Sequence, residues 1–448
     1  MRRNLSIYFV LLVCAVIAVS MFDGTVSSLV AELFILSVGT LLCQTVNSSL
    51  RSGAYRTLFV VSMVYFIVAY IFSLSFDQNN FFCVSDSMRY LQYYQDSIEY
   101  FQGWDFLNDT YLGLSDNNGL YNSYIQFWCA FGNINLRGAS VYYVTLAQTL
   151  FGIMSSIVLY RIIARRYPND AAKYTITFSC CSLVLFYSSV IIRDVAILPF
   201  FLYALDYLTH KFKLYRLILL FLFAFAVWGI RLYSGLFYFI FPFSYTIFWI
   251  IGRTRKHVTI LLFMLLFLFL LPVVVTSSVG EQTQAELETY EILSSERNEN
   301  GLFNKLSKLP IGLKQLSLTL FSQISPFPPY QHIQKSSNFS EFIMGLDSFI
   351  YEIYWFFIVF MFAYLAVFKN RLKILSREEL LLVLIAVLYI IANTAHPDIR
   401  RMMPVYPILY MGYLKLINSC PIEEIINTKN KLKLLYCILF IFAFYYRG

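Results

Sequence analysis

Charged residues are scarce in this chain: of 448 residues only 13% are Asp, Glu, Lys or Arg, while 59% are hydrophobic. A soluble domain carries about 25% charged and roughly 45–50% apolar residues, so the polar surface is too small to cover a soluble fold and lipid must supply the remaining solvent. Zinc-ligand patterns are missing too. The eight cysteines (Cys14, Cys43, Cys83, Cys129, Cys180, Cys181, Cys420 and Cys437) form no CxxC pair, and the four histidines (His210, His257, His332 and His396) do not cluster. Structural zinc sites need such spacing. Neither GxGxxG nor GxxxxGK[ST] occurs, which argues against nucleotide hydrolysis on a glycine-rich cradle. A GxSxG nucleophile elbow is absent as well, and there is no internal repeat or low-complexity linker.

What remains is aromatic and apolar, with 44 Phe and 35 Tyr, residues that anchor spans at membrane interfaces. A bilayer core of about 30 Å takes about 20 apolar residues as a helix. By that rule some twelve to thirteen spans are expected near 5–21, 28–46, 57–75, 139–161, 173–191, 194–210, 214–230, 234–251, 257–276, 349–368, 378–395, 402–418 and 431–446. The first is short for a span and follows Arg2-Arg3, but no cleavage site stands out before Asp23, so it reads as a retained span rather than a signal peptide. The expected fold is an all-α, polytopic transmembrane helical bundle forming a single domain over 1–448.

Charge sets the orientation. With the N-terminus in the cytoplasm, Arg2-Arg3, Arg51/Arg56, Arg165-Arg166/Lys173, Lys211/Lys213/Arg216, Arg253/Arg255/Lys256, Lys369/Arg371/Lys373/Arg377 and Lys429/Lys431/Lys433 all fall in cytoplasmic loops, as the positive-inside rule requires. The net charge of +8 therefore reflects topology, and nucleic-acid binding is not expected. Two long loops, 76–138 and 277–348, fall on the outer face. The second opens on an acidic stretch (Glu281, Glu286, Glu288, Glu291, Glu296, Glu299), read as a solvated face. It continues into leucines at helical spacing among Lys305, Lys308 and Lys314, read as a helix lying in the interface and ended by Pro326, Pro328 and Pro329. Cys83 and Cys129 share the first loop, so a disulfide between them is an open alternative.

Three outer hairpins break the charge rule by carrying Arg193-Asp194, Arg231 and Arg400-Arg401. Arginine at a span end either snorkels to headgroups or faces a protein interior or wet cavity. Their convergence on one face favours a basic pocket for an anionic group, phosphate above all, since guanidinium holds two phosphate oxygens in one planar fork. In the first loop Asp86 precedes Arg89, Tyr90 and Tyr93. Asp86 is a candidate general base, or a ligand for a divalent cation bridging to a diphosphate. Asp194 is the rival base, although Arg193–Asp194 also reads as a local charge pair. Tyr90, Tyr93 and Trp104 are candidates for stacking on sugars, or for interface anchoring, and His396, beside Asp398, is a candidate for acid–base work.

Four stretches carry a resemblance: SDSMRYLQYYQDSIEYFQGWDF, YNSYIQFWCAFGNINLRGASVYYVTLAQTLFGIMSSIVLYRIIARRY, YSSVIIRDVAILPFFLYALDYL and RRMMPVYPILYMGYL. They look like the first external loop, the segment re-entering the membrane, an outer Arg-Asp hairpin and a late hairpin of the GT-C glycosyltransferase superfamily. Within it they resemble the bacterial O-antigen and capsule repeat-unit polymerases. The resemblance covers about half the chain; the second loop has no match. It implies a multi-pass protein of the bacterial cytoplasmic membrane, active on the periplasmic face. It also implies undecaprenyl-diphosphate-linked oligosaccharides as donor and acceptor, no cofactor beyond an optional divalent cation, and a chain-length regulator protein as partner. Asp86 falls at the acidic loop position, and Arg193, Arg231, Arg400 and Arg401 fall at outer-face arginines. Two alternatives stay open: a GT-C enzyme adding one sugar from a lipid-phosphate donor, and a flippase or transporter for lipid-linked glycans.

Overall fold

The computed structural model describes residues 2–75, 90, 119–135, 140–250, 309–310, 313–324, 330–393 and 399–447. Helices Arg2–Asp23 (α1), Val26–Gln44 (α2) and Arg51–Ser73 (α3) come first, then Gly119–Asn135 (α4) and Val141–Ala164 (α5). Short helices follow: Ala171–Cys181 (α6), Leu183–Ser188 (α7), Leu198–Leu208 (α8), Leu214–Ile230 (α9), Leu232–Tyr238 (α10) and Ile240–Ile250 (α11). Leu313–Ser322 (α12), Gln331–Gln334 (α13), Phe339–Ala363 (α14), Arg377–Asn393 (α15), Tyr406–Ser419 (α16) and Ile422–Arg447 (α17) complete the series. Among the described residues there is no strand, and the fold is an all-α bundle. Among the described residues five stretches are long and apolar enough to cross a membrane: Leu5–Asp23, Val26–Gln44, Ser48–Ser73, Val141–Ala164 and Phe339–Phe368.

Helix α5 is the central post, with 83% of its apolar window buried, whereas α1, with 17% buried, is peripheral. α1 turns Phe9, Val10, Ile17, Met21 and Phe22 outward, a face that only a lipid-like environment satisfies. α5 packs against α2, α3, α6 and α8. The inner contacts are polar as well as apolar. Glu32, fully buried on α2, accepts hydrogen bonds from the Tyr142 hydroxyl (2.5 Å) and Ser20 (3.0 Å). A carboxylate inside a span is costly unless it is satisfied in this way.

Connectivity separates two ends. At one end Asp23, between α1 and α2, accepts from Ser140 at the head of α5 (3.0 Å). At the other, the tail of α5 meets the α2–α3 turn, where Tyr160 donates to the Leu50 carbonyl (2.8 Å). Arg161 and Arg165 at that tail pair with Asp206 of α8. Arg166 and Lys415 pair with Glu379 of α15, and Arg371 pairs with Glu424 of α17. These ion-paired arginines and lysines thus lie at one end of the bundle.

Several expected spans are broken. The 173–191 stretch splits at Ser182, whose extended backbone caps α7 by accepting from the Val184 N–H (3.3 Å). The 194–210 and 402–418 stretches each begin in a 3-10 turn, Arg193–Ile197 and Ile399–Val405, the second with Pro404 inside it. The 234–251 stretch divides at Phe239. In the other direction, the 349–368 helix starts at Phe339, so part of the expected second outer loop is α14. Asn338 caps it, accepting from the Glu341 N–H (2.8 Å), while the Glu341 carboxylate reaches back to the Ser337 N–H (2.6 Å); this reciprocal arrangement satisfies the first-turn donors. Among the described segments of that loop, α12 is the helix expected among its leucines, with Leu313, Leu316 and Leu320 exposed.

The α9–α10 hairpin depends on a close approach. A Cβ on Gly235 would overlap the backbone of Trp228, and no rotamer change relieves a backbone clash. Overpacking usually costs about 1–3 kcal/mol. Gly235→Ala is expected to part α9 from α10 and to lower the yield of monodisperse protein on size exclusion; an unchanged elution profile would contradict the close approach.

Candidate functional site

The broken helices meet at the end of the bundle opposite the basic loops. The Arg193–Ile197 turn packs against α5, α7, α8 and α9 and against the Ile399–Val405 turn. Arg231 sits between α9 and α10 as the C-cap of one and the N-cap of the next, with φ −155° and ψ 107°. Its backbone N–H still bonds the Val227 carbonyl (2.7 Å). Irregular backbone at this depth is tolerated where it is buried in protein or lines a cavity, and the arginines of all three hairpins ride on it.

Their charges converge on one carboxylate. Asp194 is 3% exposed, and its Oδ1 accepts from the Nη1 of Arg231, itself 3% exposed. The Nε of Arg400 lies 3.8 Å from Asp194 Oδ2. Arg193 and Arg401 also act electrostatically on Asp194, and Arg231 and Arg401 act on Arg193. One buried carboxylate thus pairs with Arg231, has Arg400 within 4 Å and lies in the field of Arg193 and Arg401. Like charges in a medium of low permittivity repel strongly, and Asp194 offsets part of that repulsion. The geometry is that of a cationic cluster gathered around one carboxylate.

No family model, curated protein or solved structure matches this chain. The site is therefore argued from its own chemistry.

A polar layer surrounds the cluster. Tyr121 of α4, fully enclosed, accepts from the Gln148 side-chain amide of α5 (2.8 Å), and it lies within the field of Arg193 and Asp194. Tyr90 packs edge-on to Tyr121 with ring centroids 5.0 Å apart, and it acts on Arg193. On the opposite flank the Tyr389 hydroxyl of α15 is 2.8 Å from Ser234 of α10 and lies in the field of Arg231, Asp194 and Arg401. Buried tyrosines keep their O–H paired, so each is a fixed donor or acceptor beside the guanidiniums.

Both long insertions reach this place. Tyr90 and α4 come from the first. From the second, Gln323, just after α12, receives the Trp355 indole N–H (3.0 Å) and donates its amide to Met402 Sδ (3.3 Å) in the turn that carries Arg400 and Arg401. Trp355 stacks on Tyr406 with centroids 3.7 Å apart.

The structure therefore brings together Arg193, Asp194, Arg231, Arg400, Arg401 and Tyr90. Asp86, Arg89, Tyr93, Trp104 and His396 lie outside the described residues, as does the Cys83–Cys129 question; the other six cysteines are free thiols. Both Asp194 oxygens face arginine. The described residues contain no cluster of three or more His, Cys, Asp or Glu that could hold a metal ion.

Sequence reasoning did not single out Tyr121, Gln148 or Tyr389, nor the carboxylates Glu32, Asp206, Asp347 and Glu352, all buried. For Glu32, Asp206 and Glu352 a signal was available: each lies inside an apolar run, where an ionisable group is expensive and usually has a partner. The tyrosines carry no such mark among 35 in the chain.

Proposed function

We propose that the protein is a membrane glycosyltransferase that joins oligosaccharide repeats carried on undecaprenyl diphosphate, acting at the outer face of a bacterial cytoplasmic membrane. The observation that carries this reading is the gathering of Arg193, Arg231, Arg400 and Arg401 around the single buried carboxylate of Asp194. A diphosphate is the kind of anion that planar guanidinium forks hold two oxygens at a time, and it arrives with its lipid through the bilayer, so no soluble nucleotide-sugar domain is needed.

In this reaction a terminal hydroxyl of one lipid-linked repeat attacks the anomeric carbon of the growing glycan. The new C–O bond forms as the bond to the diphosphate oxygen breaks, and the lipid diphosphate leaves with the electron pair. The arginines stabilise the charge growing on that oxygen, the kind of preorganised electrostatics that is usually the largest catalytic contribution. Asp86 accepts the hydroxyl proton. Asp194, with both oxygens turned to arginine, holds the guanidiniums in place and is a positioning residue.

The test is reconstitution of the purified protein into vesicles with lipid-diphosphate-linked oligosaccharide, with products resolved on a gel. A ladder of lengthening glycans is expected. A single added sugar from a lipid-monophosphate donor would replace the polymerase with a one-step transferase. Translocation without any new glycosidic bond would replace it with a transporter.

A further inference from the structure

The opposite, basic end of the bundle holds a second site, independent of the reaction proposed above. Between the tails of α5 and α8, the head of α15 and the first half of α16 lies a cavity of about 170 Å³. Its mouth is lined by Arg165, Arg166 and Thr209, together with Glu379, and its floor is apolar, with Leu205, Val383 and Met411 among its walls. The floor residues are buried, whereas the side chains of Arg165 and Arg166 remain 29% and 35% exposed.

The charges around the mouth do not balance. Arg161 and Arg165 share Asp206, while Arg166 and Lys415 share Glu379. His210 contacts Arg165 and Asp206 as well. Arg216 adds its field to Arg165. Two carboxylates thus pin four cations, with the guanidiniums of Arg165 and Arg166 left at the opening. Cations at helix tails also complement the helix dipoles, which accounts for their location but not for an apolar chamber behind them.

We infer that this cavity binds an anionic glycerophospholipid, its phosphate at Arg165 and Arg166 and the first part of an acyl chain on the apolar floor. A charged mouth at the end of the helices and an apolar floor directed along them match the polarity of a lipid standing in one leaflet. Basic pockets between transmembrane helices recognise acidic headgroups in this way. A free phosphate ion would leave the floor uncovered, and a zwitterionic lipid would carry its own cation to the mouth. The site therefore ties the basic end of the bundle to acidic lipid and holds α5, α8, α15 and α16 in register there.

The test measures binding of phosphatidylglycerol, phosphatidylcholine and sn-glycerol 3-phosphate to the full-length protein in detergent, by native mass spectrometry. Phosphatidylglycerol is expected to bind at least tenfold more tightly than either of the others. Arg166→Gln, which leaves Glu379 bonded to Lys415 (2.6 Å) and to the Ser376 N–H (2.6 Å), is expected to weaken it about tenfold. Met411→Trp, which fills the floor and touches no ion pair, is expected to do the same. Equal binding of glycerol 3-phosphate would make this a soluble-anion site, and equal binding of phosphatidylcholine would remove the charge selectivity; either overturns the inference. So does undiminished phosphatidylglycerol binding by the two variants when both elute as folded protein. The three wild-type affinities decide the matter even where a variant fails to fold.

Discussion

Arg231→Met is expected to abolish glycan elongation and to destabilise the protein, and Asp194→Asn/Arg231→Met is expected to restore the stability without the activity. The single change leaves Asp194 buried after losing its closest partner. Removing one member of a buried pair costs about 3–5 kcal/mol, whereas neutralising both is often close to neutral. Arg400, 3.8 Å away, and the fields of Arg193 and Arg401 offset part of that loss, so the lower part of that range applies. Activity follows a different rule. Both variants lack the guanidinium that meets the leaving diphosphate, and the double variant also lacks the carboxylate that positions the others. Elongation therefore stays at least a hundredfold below wild type in both while the unfolding midpoint recovers only in the double variant, and normal elongation by either would contradict the role of Arg231. Denaturant unfolding in detergent and the vesicle ladder assay read the two quantities separately.

Arg193→Lys tests the shape of the group rather than its charge. Arg193 belongs to the cluster and interacts electrostatically with Tyr90 and Tyr121. Lysine keeps the charge but loses the planar fork that binds two oxygens at once. A hydrogen bond to a charged group contributes about 1.5–3 kcal/mol, so kcat/KM for the diphosphate-linked donor should fall by roughly tenfold to a hundredfold. Arg371→Lys, at the exposed pair with Glu424 on the basic end, should leave kcat/KM unchanged. An equal loss in both variants would show that the Arg193 effect is not a property of the site. Wild-type kcat/KM in Arg193→Lys would show that no bidentate contact is made there.

The sequence carried the class of fold because a bilayer imposes a length and a polarity on every crossing. The expected 214–230 span matches α9, Leu214–Ile230, and 378–395 lies within two residues of α15, Arg377–Asn393. Alternation of basic loops placed the charged end for the same reason. The breaks were not legible. Val190, Ile191 and Ile192 are fully apolar and buried, yet they lie outside helix, with Ile192 extended at φ −151° and ψ 142°. Hydropathy averages over such a stretch and reads it as continuous span. Yet these breaks allow arginines from three distant hairpins to turn toward one carboxylate. The start of α14 was hidden by its polar first turns: Ser340, Glu341, Asp347 and Ser348 are buried against protein, whereas hydropathy reads them as loop.

Within the site, the arginines announced themselves by violating the charge rule, and Asp194 by adjoining one of them. Tyr121, Gln148 and Tyr389 could not, because tyrosine is common in apolar spans and an isolated glutamine has no pattern. Their roles come from tertiary proximity: Gln148 of α5 fixes Tyr121 of α4, and Ser234 of α10 meets Tyr389 of α15. Likewise nothing in the leucine spacing of α12 says that Gln323 will link Trp355 to Met402 and so bind the second insertion to the Arg400–Arg401 turn.

The most direct measurement is an experimental structure of the protein in lipid nanodiscs with a polyprenyl diphosphate bound. Phosphate density in contact with Arg193, Arg231, Arg400 and Arg401, above an Asp194 still paired with Arg231, is the predicted result. Diphosphate seated elsewhere, with those four side chains turned outward to separate headgroups, would contradict the account.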